Sequence, residues 1–177
     1  MRVVLFLVTL LLACAPASAQ AWKEYVFPKA EFAVHLPAEP AFAEGLVYTA
    51  DGALVKERSV ELEHEGIRYR VGVAELPDAD IQREIRAAAR ATRDHGEVLS
   101  AFDVNLCGEL GEAVTVAQPD GTRRSNVILY LTGRLYQIMA DYGPDSPHSG
   151  RAAAFQVSFR HLSHGEKSDA DGYLDGC

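Results

Sequence analysis

Residues 67–75 alternate in polarity and residues 78–95 do not. This change of hydrophobic period limits the folds open to the chain. In the first segment Ile67, Tyr69, Val71 and Val73 fall on one side of an extended chain. A half-buried strand is expected there, with Arg68 and Arg70 facing water. In the second segment Ile81, Ile85, Ala88 and Thr92 share one helical face, with Arg83, Glu84, Arg86, Arg90 and Arg93 around the rest. Asp78 suits an N-cap, Asp80 suits the positive end of the helix dipole, and Gly96 suits a left-handed C-terminal position. A half-buried strand followed by a helix with a narrow apolar stripe calls for a sheet with a helix laid on it.

The flanking segments extend that sheet. Trp22–Phe27 and Phe32–Leu36 read as strands, and residues 37–45 (PAEPAFAEG) as a proline-containing loop. Asp51-Gly52 is a hairpin signal between strands Leu46–Ala50 and Ala53–Glu63, Glu65-Gly66 is a second one, and Pro119-Asp120-Gly121 is a turn between 112–118 and 123–132. Val98, Ser100, Phe102, Val104 and Leu106 alternate, and 127–131 is apolar on both faces, as a central strand requires. Leu135–Tyr142 follows Gly133. Ser146-Pro147 opens a second helix over 147–160, with Ala152, Phe155, Phe159 and Leu162 at helical spacing. Ile81, Ile85, Val127, Leu129, Phe155 and Phe159 are expected in the core. The expected fold class is α+β, a mostly antiparallel sheet with two helices packed against it.

Residues 1–21 carry an address rather than a fold. Arg2 precedes an apolar run from Val3 to Ala13, too short to span a bilayer as a helix of roughly 20 residues. Ala17-Ser18-Ala19 and Ala19-Gln20-Ala21 both fit a signal-peptidase site, so residues 1–19 read as a cleaved leader, with cleavage after Ala21 as the alternative. Leu11-Leu12-Ala13-Cys14 also resembles a lipobox, which leaves a lipid-anchored form through Cys14 as a competing reading. Periplasmic or secreted location is expected, with residues 22–162 as one domain and 163–177 as a polar tail. Outside the cytoplasm, Cys107 and Cys177 are expected to form one disulfide that tethers this tail.

Charge narrows the partners. The chain carries 25 acidic and 17 basic residues, a net charge of −8, and loss of Arg2 with the leader makes it −9. Such a chain suits neither nucleic acid nor an anionic membrane. No later run reaches transmembrane length. A monomer is expected.

Each candidate site has an ordinary alternative. Arg83, Arg86, Arg90 and Arg93 form a basic stripe on which an acidic partner can dock, or a solvated helix face paired with Glu84 and Asp94. Arg123 and Arg124 can grip a phosphate or carboxylate, or guard a sheet edge. Tyr130, Tyr136 and Tyr142 read as packing. The tail gathers His161, His164, Glu166, Asp169, Asp171, Asp175 and Cys177, but its spacing does not match an EF-hand, and a solvated tail is expected instead of a metal site. Cys107 can present a nucleophile with His35 or His95 as base, but nothing local stabilises a thiolate and a disulfide to Cys177 would consume the sulfur. No catalytic residue, metal ligand or cofactor is assigned.

Phe32-Ala33-Val34-His35-Leu36-Pro37 resembles the Phe-x-Val-x-x-Pro opening of the PsbP-like fold. Leu135-Tyr136-Gln137-Ile138 and Phe155-Gln156-Val157-Ser158-Phe159 resemble its late strand and its ending. The resemblance covers roughly residues 22–162 and implies an antiparallel sheet between helices, an α/β/α sandwich. It also implies binding or assembly rather than catalysis, and it transfers no binding residue. The expected function is therefore a non-catalytic exported binding or assembly module of the envelope, with an unidentified protein as partner. A small exported enzyme with dispersed catalytic residues is the alternative.

Overall fold

A computed structural model describes residues 22–106, 109–144 and 149–162. Their elements run β1 (Lys23–Phe27), a 3-10 turn (Pro28–Ala30), β2 (Phe32–Leu36), β3 (Ala41–Tyr48), β4 (Leu54–His64), β5 (Ile67–Glu75) and α1 (Ile81–Arg93). Then come β6 (Glu97–Leu106), β7 (Glu109–Ala117), β8 (Arg123–Leu131), β9 (Arg134–Tyr142), α2 (Ser149–Val157) and β10 (Arg160–His161). Seven strands form one antiparallel sheet in the order β3-β4-β5-β9-β8-β7-β6, and β1-β2-β10 form a small second sheet. The hairpins at Glu65-Gly66 and Thr132-Gly133 turn with both residues at positive φ, the twist that suits a two-residue β-turn.

The large sheet separates two cores. On one face Ile67, Tyr69, Val71 and Val73 of β5 meet Leu129, Tyr136 and Ile138, covered by Phe32, Val34 and Leu36 of β2, by Ala152 and Phe155 of α2, and by Phe159. On the other face Ala74, Val114, Val116, Ile128, Tyr130 and Leu135 pack under Ile85 and Ala89 of α1. The fold class is thus the expected one: two helices on opposite faces of an antiparallel sheet. The small sheet shares the layer of α2.

Several local expectations are corrected. The stretch 37–45 is a loop only as far as Pro40. From Ala41 it is the edge strand β3, paired with β4 from Ala41↔Glu61 to Tyr48↔Leu54. Both faces of β3 are largely exposed, so its sequence lacks the alternation that burial imposes. The cap of α1 is Asp80, whose side chain accepts from the Arg83 N–H at 3.1 Å, and not Asp78. Ile81 stays 45% exposed in the first turn, and Val127 is half-buried at the margin of its core.

Gly96 is not left-handed, because α1 already ends through Asp94 in right-handed geometry. It is needed for another reason: a Cβ there would collide with the Ala117 carbonyl oxygen. In α2, Ser158 stops the helix before 160. Its hydroxyl donates to the Phe155 carbonyl at 2.7 Å and accepts the His35 backbone N–H at 3.0 Å, which ties the helix end to β2. Phe159 then enters the core from the connection to β10.

Candidate functional site

The small sheet does not cover the whole of the face it packs on. β4 and β5 extend past it toward the β3 edge, and a cleft of about 850 Å³ opens between the Val26–Phe32 segment and β3–β5. Sheet pleating dictates its lining. Val60 pairs with Val71, and Phe42 with Val60, so all three side chains project to one face, joined by Val73 two residues along β5. Opposite them stand Phe27 and Phe32, with ring centroids 4.8 Å apart. Phe42 reaches across from the edge strand to meet Phe27 edge-on at 5.8 Å, although it is 79% exposed.

Leu46, Tyr48 and Leu54 lie on the same face as Phe42 and are also exposed, separated from it by Glu44 and Arg58.

Charge collects at the rim. Lys29, Lys56, Arg58 and Arg134 line the cleft with Glu44 and Glu75. Arg58 faces Glu44 at 3.9 Å, and Arg134 is ion-paired to Glu31. Lys29 and Lys56 have no charged partner among the described residues, and neither does Glu75. Next to the cleft, Glu31 also lies 3.8 Å from His161 and accepts from the Thr132 hydroxyl at 3.3 Å, while Tyr136 donates to the Ala30 carbonyl at 3.0 Å. This cluster fastens β10 and the β8–β9 turn to the 3-10 turn. Burial pushes Tyr136 above its ordinary pKa, against the opposing influence of Arg134, so its hydroxyl remains a donor.

The basic stripe of α1 lies on the opposite side of the large sheet. Arg83, Arg86 and Arg90 border a shallow groove of about 660 Å³ between α1 and the Thr49-Ala50 turn, with Asp80 and Asp94 at its ends. Arg83 points a guanidinium nitrogen toward the Ala50 carbonyl at 3.4 Å, and Arg93 is ion-paired with Glu112. Arg86 and Arg90 are exposed and make no ion pair among the described residues. The stripe therefore narrows from four cations to two. Glu84, expected as a surface partner for it, is instead buried and accepts the Ala50 N–H at 3.0 Å.

The same face carries an internal polar network beyond the helix. Arg70 does not simply face water: it pairs with buried Glu57 and, at 3.0 Å, with Glu61. Arg124 grips Asp141 with two bonds of 2.7 and 2.8 Å, which holds its pKa above the ordinary value. Arg124 is thus occupied by one of the protein's own carboxylates, and neither it nor Arg123 guards a sheet edge, because β8 lies between β9 and β7. Asn126 is fully buried and donates to Thr92 and Gln137 at 3.0 and 3.1 Å. Tyr130 donates to the Leu76 carbonyl and Tyr136 packs on Phe32 and Phe159, which agrees with the packing role read for the tyrosines.

The catalytic candidates do not converge. His35 is exposed on β2, whereas His95 follows α1 on the opposite face of the large sheet. Cys107, Cys177 and the tail residues from 163 onward lie outside the described residues, as do the leader and Cys14. His161 is in β10 beside Glu31 and not in a ligand-rich tail. Among the described residues no group of three or more His, Cys, Asp or Glu is placed to hold a metal ion. None of their helices is long and apolar enough to cross a membrane.

The sequence reading missed the cleft because its outer side, at Phe42 and Glu44, belongs to the part of β3 that reads as a loop. The available signal was Phe42, Glu44, Leu46 and Tyr48 at spacing two, masked by Pro40 and Gly45.

Compared with known proteins, the chain is similar in structure to cyanobacterial PsbP (CyanoP) from Synechocystis sp. PCC 6803. The TM-score is 0.57 at 12% identity, over 85% of this chain and 98% of that one. A protein of unknown function from Pseudomonas aeruginosa aligns with a TM-score of 0.42 at 9% identity, over 77% of this chain and 94% of that one. No family model matches the sequence, and no curated protein does. The chain has a PsbP-like fold, as its motifs implied, and at this identity the likeness concerns the fold alone.

Proposed function

We propose that this protein is a non-catalytic binding module that works outside the cytoplasm, and that the cleft between the small sheet and β3–β5 is its binding surface. The observation that carries this reading is the cleft itself: about 850 Å³ of solvent-open space walled by valine and phenylalanine side chains. Its size falls in the range of about 300–1,000 Å³ typical of ligand pockets. Leaving Phe42, Leu46 and Tyr48 in water forgoes burial worth roughly 1.5–3 kcal/mol per large side chain, a cost offset when a ligand covers them. Titration with Nile red, a neutral apolar dye, tests the reading. Saturable enhancement that Phe42→Asp abolishes, with an unchanged circular dichroism spectrum, is the expected result. Dye uptake that never saturates or ignores the substitution rejects the cleft.

Location outside the cytoplasm rests on the leader, with its apolar run ending in two small-x-small sites. Intact mass of protein from an exporting host is expected to place the new N-terminus at Gln20. Retained Met1 or an acylated Cys14 rejects cleavage at that site. The Cys107–Cys177 bond belongs to the same reading, and a non-reducing peptide map lacking the linked pair rejects it.

A second surface is favoured by one observation, the exposure of Arg86 and Arg90 along the α1 groove. It is suited to an acidic partner. Affinity for such a partner should fall with salt in the native chain and lose that dependence in R86E/R90E.

A further inference from the structure

The chemistry of the cleft goes beyond its apolarity. Its floor is the face of β4 and β5, where the backbone donors and acceptors are consumed by pairing with neighbouring strands. A ligand lying there meets side chains only: Val60, Val71, Val73 and Phe32. A peptide brings an amide N–H and C=O at every residue, and each needs a partner once desolvated. An alkyl chain brings none. The wall thus favours hydrocarbon over polypeptide.

The rim adds a sign. Four cations and two acids line it, in a chain whose net charge is −8. Arg134 is occupied by Glu31, and Arg58 faces Glu44. Lys29 and Lys56 remain to receive a negative group, with Glu75 the one lining acid that carries no charged partner among the described residues. The two lysines stand on opposite walls, Lys29 in the 3-10 turn and Lys56 on β4. Val60 stands beside Val71, with Val73 two residues further along β5, and this row of valines suits an extended chain better than a compact molecule.

We infer that the cleft binds a monomeric long-chain carboxylate: an extended alkyl chain laid along Val60, Val71 and Val73 and out past Phe42, with its anionic head between Lys29 and Lys56. This rests on the proposed function and specifies the ligand of that same site.

The test uses the full chain and two probes of equal length, the fluorescent polyene fatty acid cis-parinaric acid and its alcohol. The expected result is saturable binding of both, with the acid about two- to thirtyfold the tighter, the gain that two exposed charge contacts supply. K29E/K56E should erase the preference for the acid and leave the alcohol unchanged, whereas Phe42→Asp should weaken both. The two lysines and Phe42 are exposed, so these variants keep the fold.

Equal binding of acid and alcohol, unaffected by K29E/K56E, overturns the carboxylate and leaves the cleft as an apolar site. Failure of either probe to bind overturns the cleft reading as well. Binding to phosphatidylglycerol vesicles without binding of the monomeric acid overturns the inference in favour of a membrane surface. A dimer in sedimentation at the titration concentration, dissociated by Phe42→Asp, overturns it in favour of a second copy.

Discussion

Gly72 on β5 leaves the space that the Glu57 carboxylate fills on β4. A Cβ at Gly72 would overlap the Glu57 Oε1 atom, and the next atoms in its way belong to the same carboxylate and to the Arg70 guanidinium. Glu57 is 2% exposed and is held by Arg70 and, at 3.4 Å, by the Gln137 amide. A carboxylate so deep in a sheet needs its partner, because removing one member of a buried ion pair costs about 3–5 kcal/mol. The glycine lets that pair form beneath the strand.

Gly72→Ala should therefore destabilise the protein by about 1–3 kcal/mol, the usual cost of overpacking. Strand propensity alone predicts the opposite sign, since glycine is a poor strand residue. Urea denaturation of the two proteins decides between them, and an unchanged or raised midpoint would show that Glu57 can move aside.

Gly96→Ala should also cost about 1–3 kcal/mol, for a related reason. The added methyl meets the Ala117 backbone carbonyl, which is fixed by β7 pairing and cannot yield as a side chain can. If Gly96 were instead a left-handed cap, Asn would substitute for it well. Thermal melts of Gly96→Ala and Gly96→Asn should both fall. A tolerated Asn would argue for the cap.

Alkaline stability should depend on Tyr69. Burial pushes its pKa from 10.0 up to about 12 in the folded protein. The folded state thus holds the proton more tightly than the unfolded state does. The resulting stability is present in full below pH about 10 and is lost as pH rises toward 12. Tyr69→Phe keeps the edge-on contacts with Trp22 and Phe155, at 5.8 and 5.1 Å, and removes the ionisable group. Its stability should fall less steeply than the native chain's between pH 10 and 12, as read by denaturant midpoints. Parallel curves would assign the alkaline loss to Tyr130 and Tyr136, which are shifted in the same direction.

The arginines of α1 should separate into two classes. Arg86→Glu and Arg90→Glu together should move stability by no more than about 0.5 kcal/mol, because both side chains stand in water. Arg93→Glu should cost more than either, since it sets two carboxylates together where Arg93 now pairs with the largely buried Glu112. Equal melting temperatures for all three variants would contradict the assignment of Arg93 to the fold.

The alternating and helical periods around residue 76 were enough to read an antiparallel sheet with a helix on it, and Phe32 to Pro37 pointed to the PsbP-like arrangement. Those signals are local: a strand with one buried face must alternate, and a helix on a sheet must carry a stripe. The first half of β3 left only a weak trace, because Pro40 and Gly45 interrupt it and an edge strand exposed on both faces is under little pressure to alternate. The Glu57–Arg70 and Arg124–Asp141 pairs were illegible for a different reason, since charges on a strand read as solvent-facing until a neighbouring strand supplies the partner.

The sequence by itself determined most of the elements, the hairpin turns and the fold class, because backbone preference and hydrophobic period act over a few residues. Only the tertiary structure decided what those elements enclose. The cleft exists because β4 and β5 are longer than the three strands laid over them, and a difference in length between two packed layers becomes visible only when the layers meet.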